Sequence, residues 1–215
     1  MWTVQRPPRA AVWRVPGTTQ STCSTTAHSP RCSTADRRLE NAHYHALDVL
    51  DDRALGALYD AGPPPWAVVS TVGGFAPHSP LTDLDPAELT GQLELNLLTA
   101  ALVTKHALRR MKATGQGRLV LTASRAAMVT RGQGFAYSVS KLGVLHLVAM
   151  AAGEVRGSGI TVNCVVPTII DTPANRSAMP DADHASWPKI PDIAQAYLFL
   201  ASPGAHLISG ASIPV

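Results

Sequence analysis

From about residue 42 onward the chain alternates short apolar runs with longer helical patterns, each closed by its own punctuation. Residues 43–49 read as a short strand with Asp48 at its carboxyl end. Residues 51–60 read as a helix opened by acids, which suit the positive end of the helix dipole. The run AVVSTV at 67–72 predicts a buried strand, cut off by Gly73 and Gly74. Residues 86–112 predict one long helix with Asp85 as N-cap and Pro86 in the first helical position, where the missing N–H costs nothing. A strand at 118–124, a helix at 135–156 and a strand at 160–166, stopped by Pro167, follow. A long loop then leads to a helix at 191–201 and a last strand at 211–215. Strands alternating with helices of this length predict a doubly wound α/β fold: a parallel sheet with right-handed crossovers, helices on both faces and ligands at the carboxyl ends of the strands.

Residues 1–40 do not follow this pattern. They are rich in Ser, Thr, Arg and Pro, contain no isoleucine and a single glycine, Gly17, and sustain neither helical nor strand periodicity. Pro7, Pro8, Pro16 and Pro30 interrupt any long helix. The division expected is therefore an atypical N-terminal tract, 1–40, disordered or degenerate, followed by one domain, 41–215. The tract lacks the continuous apolar core of a secretory signal, and its Arg/Ser-rich, acid-poor composition is closer to an organelle transit peptide.

Composition narrows the class. With 46% hydrophobic and 15% charged residues, the 215-residue chain reads as globular and large enough for a proper core. No stretch reads as an uninterrupted apolar span of membrane length, so no membrane segment is expected. The formal charge of +3 is uneven, because six arginines stand against Asp36 and Glu40 in the first forty residues. A basic tail on a near-neutral domain argues against nucleic acid as a partner. Three cysteines, Cys23, Cys32 and Cys164, at no close spacing argue for a reducing, cytoplasmic setting. His43 and His45 share a strand face, but no third ligand has suitable spacing, so no metal centre is expected.

The residues with chemical promise lie in the second half. Tyr137 and Lys141 stand four apart at the start of a predicted helix, so both project from one face. A phenol is too weak an acid to serve as a base at neutral pH unless a nearby cation favours the phenolate. Ser124 ends the preceding strand, at the sheet edge where ligands collect. Asn96 interrupts an apolar helical stretch, LELNLLTA, although asparagine is a poor residue for a helix interior. A satisfied buried amide is the competing reading of Asn96.

In this order and spacing, with twelve residues between Ser124 and Tyr137, the four residues resemble the short-chain dehydrogenase/reductase family. The resemblance runs from about residue 42 to the end. It implies a Rossmann-like fold and hydride transfer between NAD or NADP and a small carbonyl or alcohol substrate. On it, Tyr137 is the acid/base, Lys141 lowers its pKa and holds the nicotinamide ribose, Ser124 polarises the carbonyl, and Asn96 positions a relay water. Asp48 and Val49 resemble the family's adenine contact. Ser70-Thr71-Val72-Gly73 stands where members carry Asn-Asn-Ala-Gly, with only the glycine matching; Val72 and Gly73 would adjoin the cofactor. Pro167, Ile170 and Thr172 resemble the segment that touches the carboxamide, with Thr168 in place of the usual glycine.

Two further likenesses are narrower. The loop DTPANRSAMPDADHASW (171–187) and the turn Val72-Gly73-Gly74-Phe75 resemble dihydropteridine reductases and their relatives, which would place Met179 and Trp187 over a flat, pteridine-like substrate. Ser124 departs from that subgroup and implies ordinary carbonyl or alcohol chemistry. The largely uncharged run 142–152 resembles the family's oligomer-building helix, which implies a homodimer or homotetramer, with His146 a packed or interface histidine.

What the sequence lacks is the family's glycine-rich pyrophosphate turn, Thr-Gly-x-x-x-Gly-x-Gly. Nothing in residues 1–40 matches it, and Asp36 lies too near Asp48 for a normal intervening unit. The first strand–helix–strand unit is accordingly read as degenerate, through a replaced N-terminus or as a variant with another role, and cofactor binding as impaired. The alternative function is a catalytically silent relative that serves as an oligomerisation or interaction module.

Overall fold

The structure, a computed structural model, describes residues 10–14, 19–24, 43–75, 79–129 and 134–215. Gly17 and Asp36 lie outside them, as does Cys32.

Seven strands form one sheet: β1 (Ala10–Arg14), β2 (Thr19–Ser24), β3 (His43–Leu47), β4 (Ala67–Ser70), β5 (Gln116–Thr122), β6 (Gly159–Val166) and β7 (Ser212–Pro214). Their order is β3-β1-β2-β4-β5-β6-β7. β2, β4, β5, β6 and β7 pair in parallel, whereas β1 is antiparallel to both β2 and β3. The expected doubly wound parallel sheet is thus present in these five strands, with β1 adding two antiparallel pairings at one side. Two segments of the tract read as patternless are strands: β2 takes the place beside β4, and β1 turns back between β2 and β3. Neither has the alternation of a half-buried strand, so its pairing was invisible to periodicity.

Helices α1 (Asp52–Asp60), α3 (Thr99–Lys112) and α4 (Phe135–Glu154) cover one face, and α6 (Ile190–Ala201) the other. The alternation along β5 shows why both faces are apolar. Leu119 and Leu121 join the cluster with Val103, Met111, Val144 and Val148, while Val120 points the other way to meet Val165, Ile193 and Leu200. Asp51 caps α1 through a 2.9 Å bond from the Ala54 amide, and Asp85 caps α2 (Pro86–Gln92) at 2.8 Å from Ala87.

Two helical expectations need correction. The stretch 86–112 is α2, then a π-helical segment at Leu93–Leu98, then α3. The long loop after β6 contains a further short helix, α5 (Pro173–Ala178), whose N-cap Thr172 and first-turn proline were the overlooked signals. By length and composition α4 meets the requirement for a membrane-crossing helix, contrary to the sequence expectation. It carries buried Lys141 and packs on the sheet through Val144 and Val148, the position of a core helix.

The end of the sheet opposite the strand carboxyl ends is tied by a buried cation. Arg118 at the start of β5 is 4% exposed and has no carboxylate partner among the described residues. It donates to the carbonyls of Ser202 (3.1 Å), Gly117 (2.8 Å) and Gly159 (2.9 Å), and its guanidinium lies 4.8 Å from the centre of the Trp66 ring. Trp66 in turn donates to Ala201 O at 3.1 Å. The charge is answered by one carbonyl at the C-terminus of α6, by two at the starts of β5 and β6, and by the ring face. Arg118→Met is expected to leave these carbonyls unpaired and to lower stability by about 2–4 kcal/mol in urea titrations, with the slope unchanged.

Candidate active site

The site lies at the carboxyl ends of β4, β5 and β6. β4 runs out into Thr71-Val72-Gly73-Gly74-Phe75, and β5 delivers Ser124. Gly134, in the left-handed region at φ 70°, turns the chain into α4, whose first turns carry Tyr137, Ser140 and Lys141.

Asn96 holds these pieces in register. Its side chain is fully buried within the π-helical segment. Oδ1 accepts from Gly74 N at 2.9 Å; Nδ2 faces Gly74 O at 3.0 Å, Ser140 Oγ at 3.0 Å and Gln92 Oε1 at 3.2 Å. Ser140 Oγ donates to Tyr137 O at 2.7 Å, which extends the clamp to the first turn of α4. A wide π turn commonly marks a functional segment, and here it brings an amide across to two other elements. The side chain is thus engaged by protein groups on three elements. Gln92 and Ser140 were not anticipated; Ser140 lies between Tyr137 and Lys141, where the four-residue spacing drew attention only to its neighbours.

Gly73 is required by its surroundings. At φ 138°, a β-carbon on it would meet Asn96 Oδ1 at 2.6 Å and Lys141 Nζ at 2.8 Å. Lys141, 4% exposed, donates to Thr122 O at 3.1 Å, and burial brings its ammonium down to about 8. That bond uses one of three protons and leaves the others for an incoming acceptor.

Tyr137 and Ser124 are brought together, near enough for the serine hydroxyl to favour the phenolate. Burial pushes the phenol above its ordinary value, and the Ser124 contact offsets part of that rise. The direction corrects the expectation that Lys141 brings it down: desolvation dominates in the chain by itself. Ser124 Oγ also accepts from Ala126 N at 3.2 Å, which fixes the serine at the head of a 3₁₀ turn, Arg125–Ala127. Phe75, not singled out as a site residue, meets Tyr137 edge to face with ring centres 5.2 Å apart.

The remaining candidates divide. Asp48 stands just beyond β3, where Oδ1 accepts from Leu50 N at 3.0 Å and starts the turn into α1. Val49 and Val72 are buried in the core cluster, so their side chains pack rather than face a ligand. Pro167 O accepts from Arg125 N at 2.9 Å, joining the ends of β5 and β6. Thr172 Oγ1 accepts from Asn175 N at 3.1 Å, and Ile170 O accepts from Asn175 Nδ2 at 2.7 Å, so this segment is braced by α5. Met179, half-buried, ends α5. Trp187 is only 8% exposed and packs on His184 at 4.6 Å, which leaves little ring to cover a substrate. His146 is exposed on α4 rather than packed. Among the described residues, no three His, Cys, Asp or Glu side chains converge as metal ligands.

The test for a dinucleotide separates its two ends. At the nicotinamide end, Lys141 with spare protons, the side-chain-free approach over Gly73 and the Ser124–Tyr137 pair fit a ribose and a reactive ring. At the pyrophosphate end, β2 stands where the glycine turn is needed, yet no glycine occurs between β2 and Gly56 in α1. Without one, β-carbons hold backbone amides away from phosphate.

Comparison with known proteins agrees with this geometry. The family model described as enoyl-(acyl carrier protein) reductase matches residues 22–215. Cis-4-hydroxycyclohexanecarboxylate dehydrogenase of Sinomonas cyclohexanicum is 34% identical over 83% of this chain and 78% of its own. D-threitol dehydrogenase of Mycolicibacterium smegmatis is 31% identical over 79% and 70%. A short-chain dehydrogenase/reductase structure from Mycobacterium ulcerans superposes with a TM-score of 0.73 at 29% identity, over 78% of this chain and 66% of that one. The chain belongs to the short-chain dehydrogenase/reductase family, whose members are NAD(P)-dependent oxidoreductases.

Proposed function

We propose that this chain interconverts a small secondary alcohol and its ketone, with Tyr137 as acid/base, Ser124 as the hydroxyl that holds the substrate oxygen, and Lys141 as the ribose anchor. The observation that carries the reading is the approach of Ser124 to Tyr137 at the carboxyl edge of the sheet, with the buried Lys141 ammonium one helical turn from Tyr137. A bound nicotinamide would supply or accept the hydride, leaving the protein to orient groups and move one proton. Tyr137, a phenol protonated at neutral pH and pushed further up by burial, donates to the carbonyl oxygen in reduction. Oxidation needs the phenolate, so its rate rises toward alkaline pH. The names of the relatives support alcohols, and buried Trp187 gives a pteridine little to stack on. The exposed apolar residues Leu142 and Met150 on α4 support a homo-oligomer built on that helix.

A second reading has its own observation. The glycine-free segment after β2 favours a silent relative that keeps the fold and its oligomer face. Titration with NADH and with NADPH, followed by protein fluorescence, separates the two. Saturable binding with turnover supports the enzyme, and a folded sample that binds neither supports the silent protein. In the enzyme, Tyr137→Phe is expected to lower kcat about 10²–10⁴-fold.

Lys141 yields a stability prediction that needs no cofactor. Its ammonium is less favourable in the folded chain than in the unfolded one, so the unfolded state binds the extra proton between pH 8 and about 10. The cost is fully present below pH 8 and disappears as pH rises through that window. Lys141→Met is therefore expected to be more stable than the parent at pH 7, on the order of 3 kcal/mol, with the difference closing by pH 10 in thermal melts.

A further inference from the structure

Resting on the reading of Lys141 as the ribose anchor, we infer that Tyr197, which rides on α6 across the sheet from α4, is a positioning residue: through the Thr122 hydroxyl it fixes the carbonyl that orients the Lys141 ammonium. The parallel pairing of β4 with β5 ends at Val69 and Val120. Beyond that point side chains serve the carbonyls at the strand ends. Thr122 Oγ1 donates to Ser70 O at 2.7 Å, and Lys141 Nζ donates to Thr122 O at 3.1 Å. The Tyr197 hydroxyl lies 2.7 Å from the same Thr122 Oγ1. A threonine hydroxyl has one proton and a carbonyl has none, so Thr122 gives its proton to Ser70 O and accepts from the phenol. The result is a directed chain, Tyr197 to Thr122 to Ser70 O, that ties α6, β5 and β4 at one point.

The alternation of β5 puts the two contacts of Thr122 on different sides. Its side chain falls with Val120 on the α6 face, where Tyr197 packs against the cluster of Val120, Val165 and Leu200. Its carbonyl meets Lys141 of α4. A phenylalanine would fill that apolar layer as well as Tyr197 does, so the hydroxyl is the part that needs a purpose. Its bond falls on the residue whose carbonyl receives the ammonium, and on the strand end that leads to Gly73, where a β-carbon would meet Lys141 Nζ at 2.8 Å. The Thr122–Ser70 bond thus sets the spacing of both walls of the ammonium's place, the turn after β4 and the carbonyl of β5. Without the phenol's proton Thr122 loses one of two constraints on its hydroxyl, the acceptor drifts, and the buried ammonium becomes less favourable. The buried Cys164 thiol of β6 lies within electrostatic reach of both Lys141 and Tyr197. Burial holds that thiol and the Tyr137 phenol above their ordinary values and pushes Tyr197 up to about 12, so all three stay neutral while Lys141 titrates near 8.

The test reads the lysine directly. The chain has four lysines, Lys105, Lys112, Lys141 and Lys189, so carbon-13 labelling of lysine ε-carbons gives a simple NMR titration in which Lys141→Met identifies the signal of interest. Tyr197→Phe and Thr122→Val are each expected to lower the Lys141 midpoint by about one pH unit. Thr122→Ser, which keeps the hydroxyl, is expected to leave the midpoint in place. So is Ile193→Val, which thins the same apolar layer without touching the bond. Where the parent turns over, Tyr197→Phe is expected to raise the KM for NADH or NADPH about tenfold, with kcat changed less. An unmoved midpoint in Tyr197→Phe, with only the melting temperature lowered, overturns the inference and leaves the Tyr137 reading standing. An equal drop in Ile193→Val also overturns it, because the shift then reports packing alone. If Tyr197→Phe does not fold, Thr122→Val against Thr122→Ser decides in the same way. If the parent turns over no alcohol or ketone, the activity reading fails and the titration alone decides: a lower midpoint in Tyr197→Phe and Thr122→Val supports the positioning of the ammonium, and an unmoved one overturns it.

Discussion

The fully buried amide of Asn96 is the contact on which the site depends. One planar group satisfies both the N–H and the C=O of Gly74, reaches Ser140 on α4 and Gln92 a turn earlier, and so joins the loop after β4 to the helix that carries Tyr137 and Lys141. Buried polar networks of this kind are worth having only when every member is paired, and here the pairing is complete enough to hold a glycine at a positive φ between an amide oxygen and an ammonium. The π-helical segment is the local cost of placing that amide, since a regular turn would present it one step differently.

A buried cation meets each end of β5, Arg118 of the strand itself and Lys141 of α4, and the contrast is informative. At its start Arg118 is answered by three carbonyls and an aromatic face. At its end Lys141 finds one carbonyl, Thr122 O, and is left under-solvated, so its proton is held loosely. A fold that merely needed stability would place a methionine there. An ammonium kept buried with protons to spare makes sense when a ligand completes its shell, the familiar exchange of stability for function.

The two ends of the expected dinucleotide site have different histories in this chain. The nicotinamide end is assembled from β4, β5, α4 and the Asn96 segment, all of which follow the family's pattern. At the other end β2 occupies the position beside β4 from which a phosphate turn would spring, while β1 folds back antiparallel and the next glycine after β2 is deferred to α1.

Much of this was legible in the order of residues. The apolar alternation of β5 and β6, the aspartate caps of α1 and α2, and the four-residue step from Tyr137 to Lys141 are local, short-range signals, and they led to the α/β fold and to the neighbourhood of the site. Other features depended on contacts between segments far apart in the chain. Whether the Tyr137 phenol moves up or down depends on how much water the folded chain removes around it, and burial outweighs the help of Ser124. Whether Asn96 holds a water or a backbone turn depends on where Gly74 and Ser140 arrive, and whether Trp187 covers a ligand or packs on His184 depends on the path of its loop. The sequence by itself determined on which elements the candidate residues ride, because periodicity and capping are written within a few residues. Only the tertiary structure decided their partners and protonation, because desolvation and hydrogen-bond satisfaction belong to the space between elements rather than to any one of them.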